Sequence, residues 1–181
     1  MNIIKHKEQR VGVFVDVANM YHSAKNMYGA RVNFKEVLKT AVAGRKLIRA
    51  IAYVVKSPSQ EEQAFLEALS KQGFDLKIKD LQIYASGVKK ADWDVGLAVD
   101  AIKLSGSLDA VVLVSGDGDY IPLVSYLKDN RGCIVEVIAF GETASGKLKE
   151  ASDEFVDLSQ NKTKYLLKIR SRVEKNDSIP T

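Results

Sequence analysis

Ala110-Val111-Val112-Leu113-Val114-Ser115-Gly116-Asp117-Gly118-Asp119-Tyr120 joins an apolar, valine-rich run to a glycine-spaced acidic turn. The run has no polar alternation, so the strand it forms is covered on both faces, as in a parallel sheet. The turn places two carboxylates at the strand's C-terminal end, the edge where open α/β sheets bind ligands. Val11-Gly12-Val13-Phe14-Val15 is a second strand of this kind, ending in Asp16 with Asn19 close behind. Two buried strands that both finish in aspartate point to one acidic pocket, and an acidic pocket points to a divalent metal.

Outward from these strands, helices and strands alternate. A helix runs from Ala18 to about Tyr28. The next is capped by Asn33, with Glu36 completing a capping box and Gly44 past its end. Lys46–Lys56, rich in Ile, Val and Tyr, is a strand. Ser57-Pro58 opens a helix with Gln60 in its capping box, and Gly73 ends it. Phe74–Tyr84 reads as a more exposed strand, followed by a helix from about Ala91 to Leu104. After the acidic turn come a helix near Tyr120–Lys128 and the strand Cys133–Ala139. A short helix near Ser145–Glu150 and a strand around Phe155–Leu158 close the pattern. This predicts an α/β fold, a three-layer sandwich with a central, mainly parallel sheet. Residues 10–158 form the domain, 1–9 an N-terminal extension and 159–181 a basic, partly disordered tail.

The chain has 181 residues, 46% hydrophobic and 28% charged, the balance of an ordinary globular domain. Its polar first residues lack the apolar stretch of a signal peptide, and no segment is long enough to span a bilayer. The single Cys133 falls inside a predicted strand and reads as a small buried thiol. A cytoplasmic, disulfide-free protein without a membrane partner is expected. The net charge of +4 belongs to residues 160–181, where six Lys and Arg face two acids. Clustered cations suit a polyanion such as nucleic acid, although a solvated tail carries the same charges.

The carboxylates at strand ends and helix starts are Asp16, Asp94, Asp117 and Asp119, with Asp92 and Asp100 nearby. Each alone is explained by capping, turn formation or the helix dipole. Together they converge if the two strands are neighbours, as they are where a doubly wound sheet reverses its strand order. Converging carboxylates repel, so they need a cation or a bound proton. Oxygen ligands suit Mg²⁺ or Mn²⁺, and neither His6 nor His22 has the spacing of a zinc site. Asp100 points about 120° away from Asp94 on the same helix, which makes it a supporting or structural residue. Magnesium held by a few carboxylates suits phosphodiester chemistry. Lys89 and Lys90, just before Asp94, are candidates to hold a phosphate backbone, although an ordinary solvated loop carries such a pair as well.

Three motifs carry a family resemblance. Phe14-Val15-Asp16-Val17-Ala18-Asn19, Asp92-Trp93-Asp94-Val95-Gly96-Leu97-Ala98-Val99-Asp100 and Ser115-Gly116-Asp117-Gly118-Asp119-Tyr120-Ile121-Pro122-Leu123 resemble the NYN domain family. They look like its LabA-like (DUF88) branch, within the PIN-like nuclease superfamily. The resemblance covers about residues 10–158. It implies a Mg²⁺- or Mn²⁺-dependent ribonuclease that hydrolyses single-stranded RNA and leaves a 5′-phosphate. Carried over by motif, Asp16, Asp94 and Asp117 bind metal, Asn19 positions a ligand or water, and Asp119 completes the pocket. Lys90-Ala91-Asp92-Trp93-Asp94 stands where the family often has Lys-Gly-x-Asp, which sets Asp92 against Asp94. The spacing to Leu97 and Asp100 favours Asp94. Tyr120 stands for a common Phe, a change expected to matter little.

Other assignments fit less well. A dinucleotide-binding domain needs glycines directly after the first strand, where this chain has Asp16-Val17-Ala18-Asn19. A haloacid-dehalogenase-like phosphatase needs a second Asp at the position of Ala18. The competing reading is a non-catalytic RNA-binding or regulatory protein that keeps the acidic pocket. The presence of every candidate acid favours the enzyme. The RNA target, endo- or exonuclease action, a homodimer and a protein partner are left open by the sequence.

Overall fold

The computed structural model describes residues 3–56, 60–83, 85–87 and 89–168. The chain opens with β1 (Arg10–Asp16) and α1 (Val17–Tyr28), then β2 (Ala30–Val32) and α2 (Phe34–Val42). β3 (Lys46–Lys56), α3 (Gln60–Lys71) and β4 (Asp75–Asp80) follow. A small antiparallel pair, β5 (Gln82–Ile83) and β6 (Lys89–Lys90), leads to α4 (Asp94–Leu104). The second half contains β7 (Ala110–Val114), α5 (Ile121–Arg131), β8 (Ile134–Ala139), α6 (Gly146–Ala151) and β9 (Glu154–Asp157). It ends in α7 (Lys162–Tyr165) and β10 (Leu166–Lys168).

Six strands form one sheet in the order β4-β3-β1-β7-β8-β9, and every pairing in it is parallel. Chain order therefore grows outward from β1 on one side and from β7 on the other. The reversal lies between these two strands, where Val15 pairs with Val114. Asp16 and Ser115 consequently leave the sheet side by side.

Alternation along the strands divides the core. Val13 and Val15 of β1, with Val112 and Val114 of β7, join Met20, Val37 and Leu69 of α1–α3 on one face. Phe14, Val111 and Leu113 join Leu97, Leu127 and Leu148 of α4–α6 on the other. Each such side chain, fully buried, stabilises the fold by about 1.5–3 kcal/mol. These are the three layers that the β-branched runs predict. Cys133 is buried, with its Sγ 3.6 Å from the Ser105 carbonyl.

Charge enters the core at β8. Glu136 of β8 faces the α2 side and meets Arg45, whose Nη1 and Nη2 donate to its two oxygens at 2.5 and 3.1 Å. Lys5 adds a cation at 3.0 Å and also pairs with Glu154, so the N-terminal extension is tied to the sheet.

The first ten residues assigned to the tail are folded. β10 pairs antiparallel with β2, and Tyr165 enters the core with its hydroxyl 2.9 Å from Thr40 Oγ1. Asn33 caps α2 as predicted, accepting from the Glu36 N–H, and its own N–H donates to the Tyr165 carbonyl at 2.8 Å. The predicted strand Phe74–Tyr84 divides into β4 and β5 at Leu81. The Ser57-Pro58 helix start, and the tail cations Arg170, Arg172 and Lys175, lie outside the described residues. Among the described residues no helix is long and apolar enough to cross a membrane.

Candidate metal centre

Asp16 ends β1 and caps α1, its Oδ1 accepting from the Asn19 N–H at 3.1 Å. It is only 8% exposed. The Asn19 side chain reaches across the switch point, and its Oδ1 accepts from the Gly116 N–H at 2.9 Å. The loop after β7 is thus pinned to the helix after β1. Gly116 is required by close approach, since a Cβ there would lie 2.9 Å from Ala144 Cα.

The acidic turn organises itself. Ser115 Oγ accepts from the Asp117 N–H at 3.2 Å, and Asp117 Oδ1 accepts from the Asp119 N–H at 3.0 Å. Such Asx bonding nucleates the 3₁₀ turn over residues 118–120, which sends the Tyr120 ring into the core. Tyr120 is 2% exposed, and its hydroxyl stands 3.0 Å from Asp94 Oδ1 and 3.2 Å from Asp16 Oδ2. Asp94 is the first residue of α4, where the helix dipole favours a carboxylate.

Asp94, Asp117 and Asp119 each offer an oxygen, and the three oxygens lie within 4.8 Å of one another. Ligands at about 2.1 Å from Mg²⁺ are at most about 4.2 Å apart, so a small side-chain rotation closes the set around one ion. Desolvation pushes the Asp16 pKa above the ordinary carboxylate range, and the charges of Asp94 and Asp117 push it further. Desolvation raises Asp94 as well, with Asp92, Asp117 and Asp119 adding to it. Hydrogen bonding from Tyr120 opposes both shifts. Burial and the two neighbouring carboxylates drive the phenol's own pKa far up, so it stays protonated. A cluster of converging carboxylates, all oxygen donors, fits a hard divalent cation.

The structure brings together all four acids of the predicted pocket, with oxygens of Asp94, Asp117 and Asp119 mutually close and Asp16 joined to Asp94 through the Tyr120 hydroxyl. Asp16, which the resemblance makes a ligand beside Asp94 and Asp117, is a buried helix cap whose second oxygen accepts from Tyr120. Asp119 joins Asp94 and Asp117 because the 3₁₀ turn folds it back. Between the competing acids, Asp94 is the one in the cluster. Asp92 is exposed, and its carbonyl accepts from Lys79 at 2.8 Å. Asp100 is structural. Burial alone raises its pKa, but hydrogen bonds from Lys77 and Tyr53 outweigh this and hold it below the usual value. His22 is exposed against the Tyr21 ring. Lys89 and Lys90 form β6 through their backbone, and their side chains lie outside what is described.

Tyr120 corrects one expectation. Its hydroxyl bridges two of the pocket acids, so the exchange from Phe is not a minor one here. The available signal was chemical: a buried tyrosine needs a partner for its O–H.

Comparison with known proteins agrees with this picture. The NYN domain profile matches residues 10–159. The low amplitude and bright protein LabA of Synechococcus elongatus is 27% identical over 180 residues, covering 94% of this chain and 91% of LabA. A crystal structure of a Vibrio parahaemolyticus protein of unknown function superposes with a TM-score of 0.82 at 28% identity. It covers 91% of this chain and 100% of that one. With its three acidic motifs gathered at the switch point of a parallel sheet, the chain belongs to the NYN domain family, in the LabA-like branch.

Proposed function

We propose that the protein is a ribonuclease that hydrolyses phosphodiester bonds of single-stranded RNA with Mg²⁺ or Mn²⁺. The observation that carries this reading is the convergence of Asp94, Asp117 and Asp119 at the carboxyl edge of the sheet. Family membership supports an RNA-related role, and the donor set supports a hard divalent cation.

In this reading Asp94, Asp117 and Asp119 hold the ion, directly or through water. Once bound, it supplies Lewis acidity for activating water and for offsetting charge that builds on the phosphate. Asp16 contributes its carboxylate to the same centre as a further proposed ligand, and Tyr120 fixes Asp16 and Asp94 relative to each other. Asn19 keeps the Asp117 loop against α1, which preserves the geometry that in-line attack requires. Lys89 and Lys90 on β6 are the proposed contacts to the RNA backbone.

The test is incubation of a labelled single-stranded RNA with the purified protein in Mg²⁺, Mn²⁺ or EDTA. Cleavage in metal and none in EDTA is expected. A folded protein that binds the RNA and cleaves it in no metal would instead be a non-catalytic RNA-binding or regulatory protein.

A further inference from the structure

Trp93 immediately precedes Asp94, at the helix N-cap position. Ser, Thr, Asp and Asn are favoured there because their side chains cap the free N–H groups. The indole makes no such bond. A residue that breaks a local preference at the rim of an acidic centre calls for another explanation.

The ring is held firmly. Its Nε1–H donates to the Val54 carbonyl at 2.9 Å. Val54 lies one residue beyond Tyr53, the partner of Asp16 at the last position of β1, so the indole occupies the sheet edge where β1 has ended. Tyr53 packs against it in a T-shaped contact at 5.5 Å. Gly96 leaves it room, since a Cβ there would stand 2.7 Å from Trp93 Cε3. Despite these contacts Trp93 stays half-buried rather than enclosed. The Lys79 ammonium lies 4.3 Å from the ring centroid and donates to the Asp92 carbonyl at 2.8 Å.

We propose that Trp93 is a stacking platform for a nucleobase of single-stranded RNA, with Lys79 taking a phosphate of the same strand. The proposal rests on the RNA reading above and names the element that recognises the substrate. A fixed aromatic face beside an exposed ammonium is a combination by which proteins bind single strands with little sequence preference. On binding, the base takes the ammonium's place over the ring and Lys79 turns to the phosphate. Asp94 of the acidic centre is the next residue in the chain. A base paired in a duplex cannot present its face in this way, so the platform selects single strands.

Trp93 is the chain's single tryptophan, so its emission reports on this site alone. The experiment titrates Asp117→Asn protein in Mg²⁺ with fluorescein-labelled oligoadenylate, following tryptophan emission and fluorescein anisotropy together. The expected result is quenching that saturates with the anisotropy, and little quenching by a duplex of the same length. Trp93→Ala weakens binding roughly tenfold or more and Trp93→Tyr largely restores it. Lys79→Ala lowers the salt slope of log K by about 0.7. An anisotropy rise with unchanged tryptophan emission overturns the proposal, and so does an absence of binding. The outcome separates from the nuclease reading: quenching by a protein whose wild type cleaves nothing keeps the platform and removes the nuclease, and metal-dependent cleavage without quenching does the reverse.

Discussion

The Tyr120 hydroxyl stands 3.0 Å from Asp94 Oδ1, with Asp16 Oδ2 on its other side at 3.2 Å, so one hydrogen serves two carboxylates. Its bonds pull the pKa of both acids down against desolvation and mutual repulsion, which push them up.

Removing the hydroxyl therefore leaves both acids holding protons to higher pH. In Tyr120→Phe the ring still fills its place in the core, and the midpoint of Mn²⁺ binding shifts to higher pH. A hydrogen bond to a charged group sets the scale, on the order of one pH unit. Mn²⁺ titration from pH 5 to 8 measures it, and an unmoved midpoint would show that the hydroxyl has no part in setting the site's charge.

Asp16 and Asp94 have folded-state pKa values raised above those of the unfolded chain. The folded protein thus binds more protons, and stability falls as pH rises through the unfolded and then the folded pKa. In EDTA at pH 7 that cost is present, so Asp16→Asn melts at the same or a higher temperature than wild type. An amide oxygen still accepts the Asn19 N–H, which keeps the cap. A cation reverses the cost: at a hundred times Kd it adds about 2.7 kcal/mol, several degrees for a chain of this size. Thermal melts with and without Mn²⁺ check both statements, and a marked fall for Asp16→Asn in EDTA would contradict the first.

Gly116→Ala forces a Cβ to within 2.9 Å of Ala144 Cα, a backbone atom that cannot swing aside. The loop carrying Asp117 must shift, at a cost of about 1–3 kcal/mol. Urea denaturation and single-turnover cleavage should both register the change, whereas wild-type values in both would mean that the close approach is not needed.

Arg45→Met leaves Glu136, 1% exposed, with Lys5 as its remaining ion-pair partner. Breaking a buried pair from one side costs about 3–5 kcal/mol. Replacing both residues with apolar ones should cost much less, and a denaturant-based double-mutant cycle tests this.

What could be read from the sequence follows from how local each signal is. β1 and β7 carry uninterrupted runs of Val, Phe, Leu, Ala and Gly, β3 and β8 are apolar apart from internal charges such as Arg49 and Glu136, and an acid just after such a run is at the carboxyl edge of a sheet wherever the strand lies. β2 and β10 are three residues each and exist because they pair across 134 positions or more, from Ala30–Val32 to Leu166–Lys168. No periodicity reports a strand that short. Asp117 and Asp94 were legible by motif and position. That an Asp119 oxygen comes close to those of Asp94 and Asp117 depends on a 3₁₀ turn, and the Tyr120 bridge depends on how α4 packs over β1. Both are tertiary facts that the spacing of the acids does not contain.

The most direct test of the account is the single-turnover rate at which wild type and Asp117→Asn cleave one labelled single-stranded RNA in saturating Mn²⁺, after circular dichroism has shown both to be folded. Loss of a preorganised charge at the reacting centre predicts a fall of roughly a hundredfold or more in the variant. Equal rates would contradict the assignment of chemistry to the acidic centre.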